Sequence, residues 1–403
     1  MAALLRDQHA HVRPVEEQLG ERAAFTYDET WDPEALVAAR PDIVVCVNDW
    51  PYEIARCLDA ARAAGIPSLV LQDGILEWRC QYENPLFGAG GGAPQHQPVL
   101  ADRIACIGEQ SARQIAAWGN AGRVEVTGMP RLDHLLRRAP RPPARPGRVV
   151  LVMTAKNAGF TGAQREVTLR SLRDVREHLA TRPGIEVLWR VSGEMAWRLG
   201  VENLMRETSS VELADVVERA DAVITTPSTA MLEAMRLGRP VAALDYHNVP
   251  RFVATAWTIS APEQIAPVVA SLLAPDAPRM AFQEDTLADA LMGGPAAPRV
   301  AALIERMARE RSAAGAPADV HAGGTEGGDD GETLVAARAP RALGDLYPGV
   351  SAFAERDPVA LQARLARLEK ENELLRRELR EGSMAQRLRR LGRALGPLGR
   401  GRR

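Results

Sequence analysis

Short apolar runs alternate with helix-length amphipathic stretches through the first three quarters of the chain. Residues 42–47 (DIVVCV) are β-branched and of strand length, and so predict a buried strand. Pro51 then opens a helix through Ala64, because proline in the first turn costs no hydrogen bond, and Gly65 closes it. Ser68–Leu71 is the next strand, followed by Gln72-Asp73-Gly74. A strand at 103–107, a helix over about 110–118 and a strand at 123–127 follow. Strands separated by single helices predict βαβ units and a parallel sheet.

Residues 139–147 (APRPPARPG) suit neither helix nor central strand, since proline removes donors and fixes φ. They are expected to link two domains. A second series then runs through strand 148–154, helix 164–180, strand 185–191, helix 210–219 and strand 222–225. Helix 228–237, strand 241–244 and helices near 262–273 and 297–311 complete it. The expected organisation is α/β, with two Rossmann-like domains at 1–138 and 148–311. From 312 to 356 the composition turns to Ala, Gly, Asp and Pro, which buries too little apolar area to offset chain entropy and predicts a disordered tether. Leu361, Leu365, Leu368, Asn372, Leu375 and Leu379 alternate spacings of 4 and 3, which predicts a coiled coil over 357–381 that pairs two chains. A solvated single helix is the alternative for so few heptads.

Composition changes this picture in three places. The 403 residues carry a net charge of −2, yet residues 384–403 hold seven arginines and no acid; removing those seven positive charges leaves −9 elsewhere. An acidic body with a short basic tail speaks against a nucleic-acid partner. The tail, residues 382–403, interleaves leucines with its arginines and suits an anionic membrane surface. No run of 18 apolar residues exists, and the start turns charged too soon for a signal peptide. Cys46, Cys57, Cys80 and Cys106 form no CxxC pair. A reduced, cytoplasmic chain, peripheral at the inner membrane face, is the expectation.

Candidate chemistry concentrates at 222–244, AVITTPSTAMLEAMRLGRPVAAL. A strand ends in Thr225-Thr226-Pro227, and Ser228-Thr229 start a helix. Two hydroxyls and free N–H groups at the carboxyl edge of a parallel sheet suit a phosphate. An ordinary N-cap is the plainer alternative. Glu233, one turn on, is placed to accept ribose hydroxyls. Lys156 lies just past strand 148–154, and Arg190 and Ser192 end strand 185–191, where a cation would neutralise a diphosphate; surface positions are the alternative for them. Asp49 follows the first strand and faces the corresponding edge of the first domain. His247 is either a ligand contact or a solvated loop residue. No HExxH or DxD spacing occurs, so a metal-independent site without a cofactor is expected. The glycine-rich loop 81–98 is either a mobile lid or a variable loop.

Four stretches carry a family resemblance. TPSTAMLEAMRLGRPVAAL resembles the donor-binding motif of two-domain GT-B glycosyltransferases. Thr127-Gly-Met-Pro-Arg-Leu-Asp133 resembles the TG-x-P-R-x-D element of surface-polysaccharide enzymes and CDP-glycerol glycerophosphotransferases, with a relative in UDP-N-acetylglucosamine 2-epimerases. Leu71-Gln-Asp-Gly74 with 101–109 (ADRIACIGE) resembles a pattern of capsule-type proteins, where family members often carry His in place of Asp73. The segment 9–15 (HAHVRPV) resembles the first helix of the N-terminal domain, without an apolar strand before it. The resemblance implies a glycosyltransferase moving a sugar from a nucleotide-diphosphate donor to a surface-glycan or lipid-linked acceptor. Thr226, Pro227, Ser228, Thr229, Glu233, Arg190, Ser192 and Lys156 would then hold the donor. Asp73 would be the base, and Asp49, Gly74 and Arg131 would lie on the acceptor side. A polyol-phosphate transferase, a hexosamine 2-epimerase and a non-catalytic scaffold remain as alternatives.

Overall fold

The computed structural model describes residues 9–27, 31–87, 94–138 and 149–314. The expected coiled coil and basic tail, the proline-rich linker 139–147 and all but the first three residues of the expected tether lie outside the described residues. Two parallel sheets make the architecture. The first has the order β1-β2-β3-β4, from β1 (Val44–Cys46), β2 (Ser68–Leu71), β3 (Arg103–Cys106) and β4 (Val124–Val126). The second has the order β6-β5-β7-β8-β9, from β5 (Val149–Met153), β6 (Glu186–Arg190), β7 (Ala222–Thr225), β8 (Val241–Leu244) and β9 (Trp257–Ile259). All seven strand pairings are parallel. Helices therefore cover both faces, and β1, β2, β7 and β8 are buried at every residue.

The first lobe carries α1 (His9–Leu19), α2 (Pro33–Ala39), α3 (Tyr52–Ala63), α4 (Trp78–Tyr82) and α5 (Glu109–Ile115). Among the described residues no strand precedes α1. The lobe ends in a 3₁₀ stretch, Pro130–Arg137. The second lobe carries α6 (Gly162–Ala180), α7 (Gly193–Leu199), α8 (Arg206–Ser209), α9 (Leu213–Arg219), α10 (Ala230–Arg236), α11 (Ile265–Leu272) and α12 (Ala277–Ala290). Thr161 starts α6 with a reciprocal capping box to Gln164.

The last described helix is α13 (Ala297–Ala314), three residues longer than the helix expected over 297–311. Val300, Ala301, Leu303, Ile304 and Met307 pack with Val12, Val15, Val45 and Leu69, in the core of the first lobe. The chain crosses back just after α12. Met292 N–H donates to the Ile107 carbonyl at 2.8 Å. A Cβ at Gly108 would stand 2.4 Å from the Ala290 backbone, so only glycine admits this approach. Asp133 then fixes the start of α13: its two carboxylate oxygens accept the N–H groups of Ala296 and Ala297, each at 2.8 Å. Helix starts leave such donors without partners, and supplying one is worth about 1–2 kcal/mol. Asp133→Ala should therefore lower the melting temperature by several degrees, read by circular dichroism. An unchanged melting curve would show that α13 needs no such anchor.

Candidate functional site

The carboxyl ends of both sheets meet in a cleft. On the first lobe, Asn48 and Asp49 follow β1, and Asp73 and Gly74 follow β2. Gln72 props this turn open: its Nε2 donates to the Gly74 carbonyl at 2.7 Å, and its Oε1 accepts Ile107 N–H at 3.1 Å. Asp73 is solvent-exposed, yet protein surrounds it closely enough that desolvation raises its carboxyl above the ordinary range. The charges of His96 and then Arg131, a backbone hydrogen bond and the Asn48 side chain act in the opposite direction. Asp49 is 1% exposed; one carboxylate oxygen accepts Leu100 N–H at 2.8 Å, and the other lies 3.4 Å from His96 Nδ1.

On the second lobe α10 begins at Ala230, two residues later than the sequence pattern suggests. The Thr229 hydroxyl does not cap it. It accepts the N–H of Ile75 at 3.1 Å, so it ties the turn after β2 to the start of α10. Ser228 Oγ is buried without a hydrogen-bond partner. Thr226 Oγ1 accepts Ala155 N–H at 2.8 Å, a contact within its own lobe. Pro227 lines a crevice with Ile75, Glu77 and Arg251.

Glu233 is placed differently from the expected ribose anchor. It is buried, and its Oε1 accepts from Arg131 Nη1 at 2.9 Å. The donor-side carboxylate and the acceptor-side guanidinium are thus one ion pair that bridges the lobes. Arg190 also departs from expectation: its guanidinium donates to the carbonyls of Thr208 and Val211. Burial lowers its pKa, opposed by the charge of Glu233. Ser192 precedes α7, and its N–H donates to Thr154 Oγ1 at 2.9 Å. Lys156 is exposed. His247 is half-buried against Thr168 Oγ1 at 3.3 Å, and burial, followed by the charges of Arg79 and Arg170, pushes it down to about 4.

Three groups escape sequence reasoning. His11 on α1 is pushed down to about 4 by burial and then by the charge of Arg131, the guanidinium that also acts on Asp73. His96 comes from the loop that the sequence marks only as long and glycine-rich. Arg79, 2% exposed, binds Glu77, and its charge acts on Asp245 and His247 across the seam. No short motif signals any of them: His11 and His96 act on groups from distant elements, and Arg79, though paired with Glu77 two residues away, acts on Asp245 and His247 of the second lobe. Among the described residues no cluster of three His, Cys, Asp or Glu is arranged to hold a metal ion.

The fold defined by these two lobes, with the last helix returning to the first, is GT-B. No protein-family model matches the chain, and no curated protein sequence matches it. Solved structures do. Staphylococcus aureus MnaA in complex with UDP is 12% identical, with 80% of this chain and 99% of that one covered and a TM-score of 0.54. A Listeria monocytogenes protein assigned as a UDP-N-acetylglucosamine 2-epimerase is 17% identical, covering 77% and 96%, with a TM-score of 0.51. The UDP-GlcNAc 2-epimerase of Methanocaldococcus jannaschii is 12% identical, covering 76% and 98%, also at 0.51. Identities this low establish the architecture and leave the reaction to be argued from the residues.

Proposed function

We propose that the chain is a sugar-nucleotide enzyme working in the interlobe cleft. In this reading it moves a sugar from a nucleoside-diphosphate donor on the second lobe to a glycan or lipid-linked acceptor on the first. The observation that carries it is the meeting of the turn after β2 with the start of α10, where Thr229 Oγ1 accepts Ile75 N–H at 3.1 Å next to the unpartnered, buried Ser228 hydroxyl and Arg131 pairs with Glu233 at 2.9 Å. Ser228 and the backbone N–H groups before α10 would meet the diphosphate, and Arg131 would add positive charge as the leaving group develops. Asp73 would take the acceptor's hydroxyl proton, and a carboxyl raised above its ordinary range is the better base near neutral pH. Pairing through residues 357–381 and membrane contact through 384–403 belong to the same proposal, on sequence grounds.

A second reading, hexosamine 2-epimerase, is favoured by one observation: His11 and His96 add proton-handling groups beside Arg131 and Asp73. Epimerisation at C2 breaks a C–H bond, whereas transfer does not. Incubation with UDP-N-acetylglucosamine in deuterated water would label the sugar in the first case only. Either way, Asp73→Asn should lower turnover about 10²–10⁴-fold while nucleotide binding persists. Wild-type turnover in that variant would make Asp73 a turn residue.

A further inference from the structure

Asp49 and His96 are buried together, 1% and 4% exposed, at the carboxyl edge of the first sheet. Asp49 Oδ2 is oriented by the Leu100 N–H, while Oδ1 has no hydrogen-bond partner. His96 Nδ1 has none either, and the two atoms stand 3.4 Å apart. That is longer than a formed hydrogen bond. Leaving both unmade would carry the desolvation cost of two polar groups.

His96 is also held firmly. Its carbonyl accepts from Asn120 Nδ2 at 2.9 Å, and Asn120 Oδ1 accepts the N–H of Val99 at 2.9 Å. Its φ of +60° is the left-handed conformation that a non-glycine residue keeps only where the surroundings fix it. The charged groups acting around the imidazole are Asp49, from the end of β1, and Asp73, from the end of β2. Arg131 acts on Asp73 as well.

We propose that Asp49 and His96 are a positioning pair for the proton chemistry of the cleft. Asp49 accepts from Nδ1–H and leaves Nε2 as the atom that exchanges a proton with Asp73. The inference rests on the reading of the cleft as the reaction site. In a transfer step the acceptor oxygen gives its proton to Asp73 and uses the freed electron pair to bond the sugar carbon. The bond from that carbon to the diphosphate oxygen breaks, and its electrons leave with the phosphate. The proton then passes from Asp73 to His96 Nε2, and Asp49 stabilises the resulting imidazolium.

Histidine-selective nitrogen-15 NMR on the full chain tests the pair, with the His96 signals assigned by their loss in His96→Gln. At a pH where the ring is neutral the expected result is a proton on Nδ1, a preference lost in Asp49→Ala, and at least tenfold lower turnover in His96→Gln. An Nε2–H tautomer in the wild-type chain overturns the proposal without need of any variant. Melting temperatures with UDP, read on wild type, CDP and GDP included, separate this from the broader reading. If none of them stabilises the wild-type chain, the cleft reading fails whatever the tautomer. If one stabilises both wild type and His96→Gln while the tautomer is wrong, only the pair fails.

Discussion

Gly74→Ala should destabilise the closed arrangement of the lobes by about 1–3 kcal/mol, the usual cost of forcing an extra carbon into a packed site. A Cβ at that position would lie 2.3 Å from Thr229 Oγ1, a separation real atoms do not tolerate. Thr229 would have to swing away and give up the Ile75 N–H that it accepts at 3.1 Å. The hydroxyl is the whole obstacle, since the next atom, Thr229 Cβ, would be 3.7 Å away, an ordinary contact. Thr229→Ala should therefore cost only its hydrogen bond, about 1 kcal/mol, and should make Gly74→Ala nearly harmless. Thermal denaturation of the two single variants and the double variant measures this coupling directly. Strictly additive losses would mean that the turn after β2 and the start of α10 are not in contact in solution.

Glu233→Ala is expected to cost more, about 3–5 kcal/mol, because it leaves Arg131 as an uncompensated, largely buried cation. The side chains of Arg131 and Glu233 are 22% and 10% exposed, and Arg131 Nε already lacks a partner. Replacing both residues by leucine should recover much of that loss, since a buried pair costs two desolvations that apolar side chains avoid. Chemical denaturation reads the stability, and calorimetric titration with nucleotide reads the binding. A Glu233→Ala chain as stable as wild type, with weakened nucleotide affinity, would return Glu233 to the ribose role suggested by its place one turn into α10.

Much of this architecture is legible without coordinates. The spans expected for β2, β7 and β8 coincide with those found, because a strand covered on both faces must be an unbroken apolar run ended by turn residues. β9 is missed: Trp257-Thr-Ile259 is three residues long, with no turn signal of its own. The helical pattern of 297–311 shows an apolar face but not which lobe receives it, and the crossover depends on contacts such as Asp133 with Ala296. The site divides in the same way. Asp49, Asp73 and Ser228 are recognisable because each follows a strand, and strand ends of parallel sheets converge. The partners that alter their chemistry are not recognisable. Arg131 meets Glu233 only because the two lobes pack on each other, and His96 reaches Asp49 through a loop held by Asn120. Spacing along the chain carries no trace of such meetings.

The central claim is that a nucleoside diphosphate binds in this cleft, and a thermal-shift panel of UDP, CDP, GDP and CMP on the full chain tests it most directly. A ligand that binds only the folded state at a hundred times its dissociation constant adds about 2.7 kcal/mol of stability. At least one diphosphate should raise the melting temperature by several degrees, and Gly74→Ala, which displaces Thr229 beside Ser228, should diminish that rise. A melting temperature unmoved by every nucleotide at millimolar concentration would contradict the account.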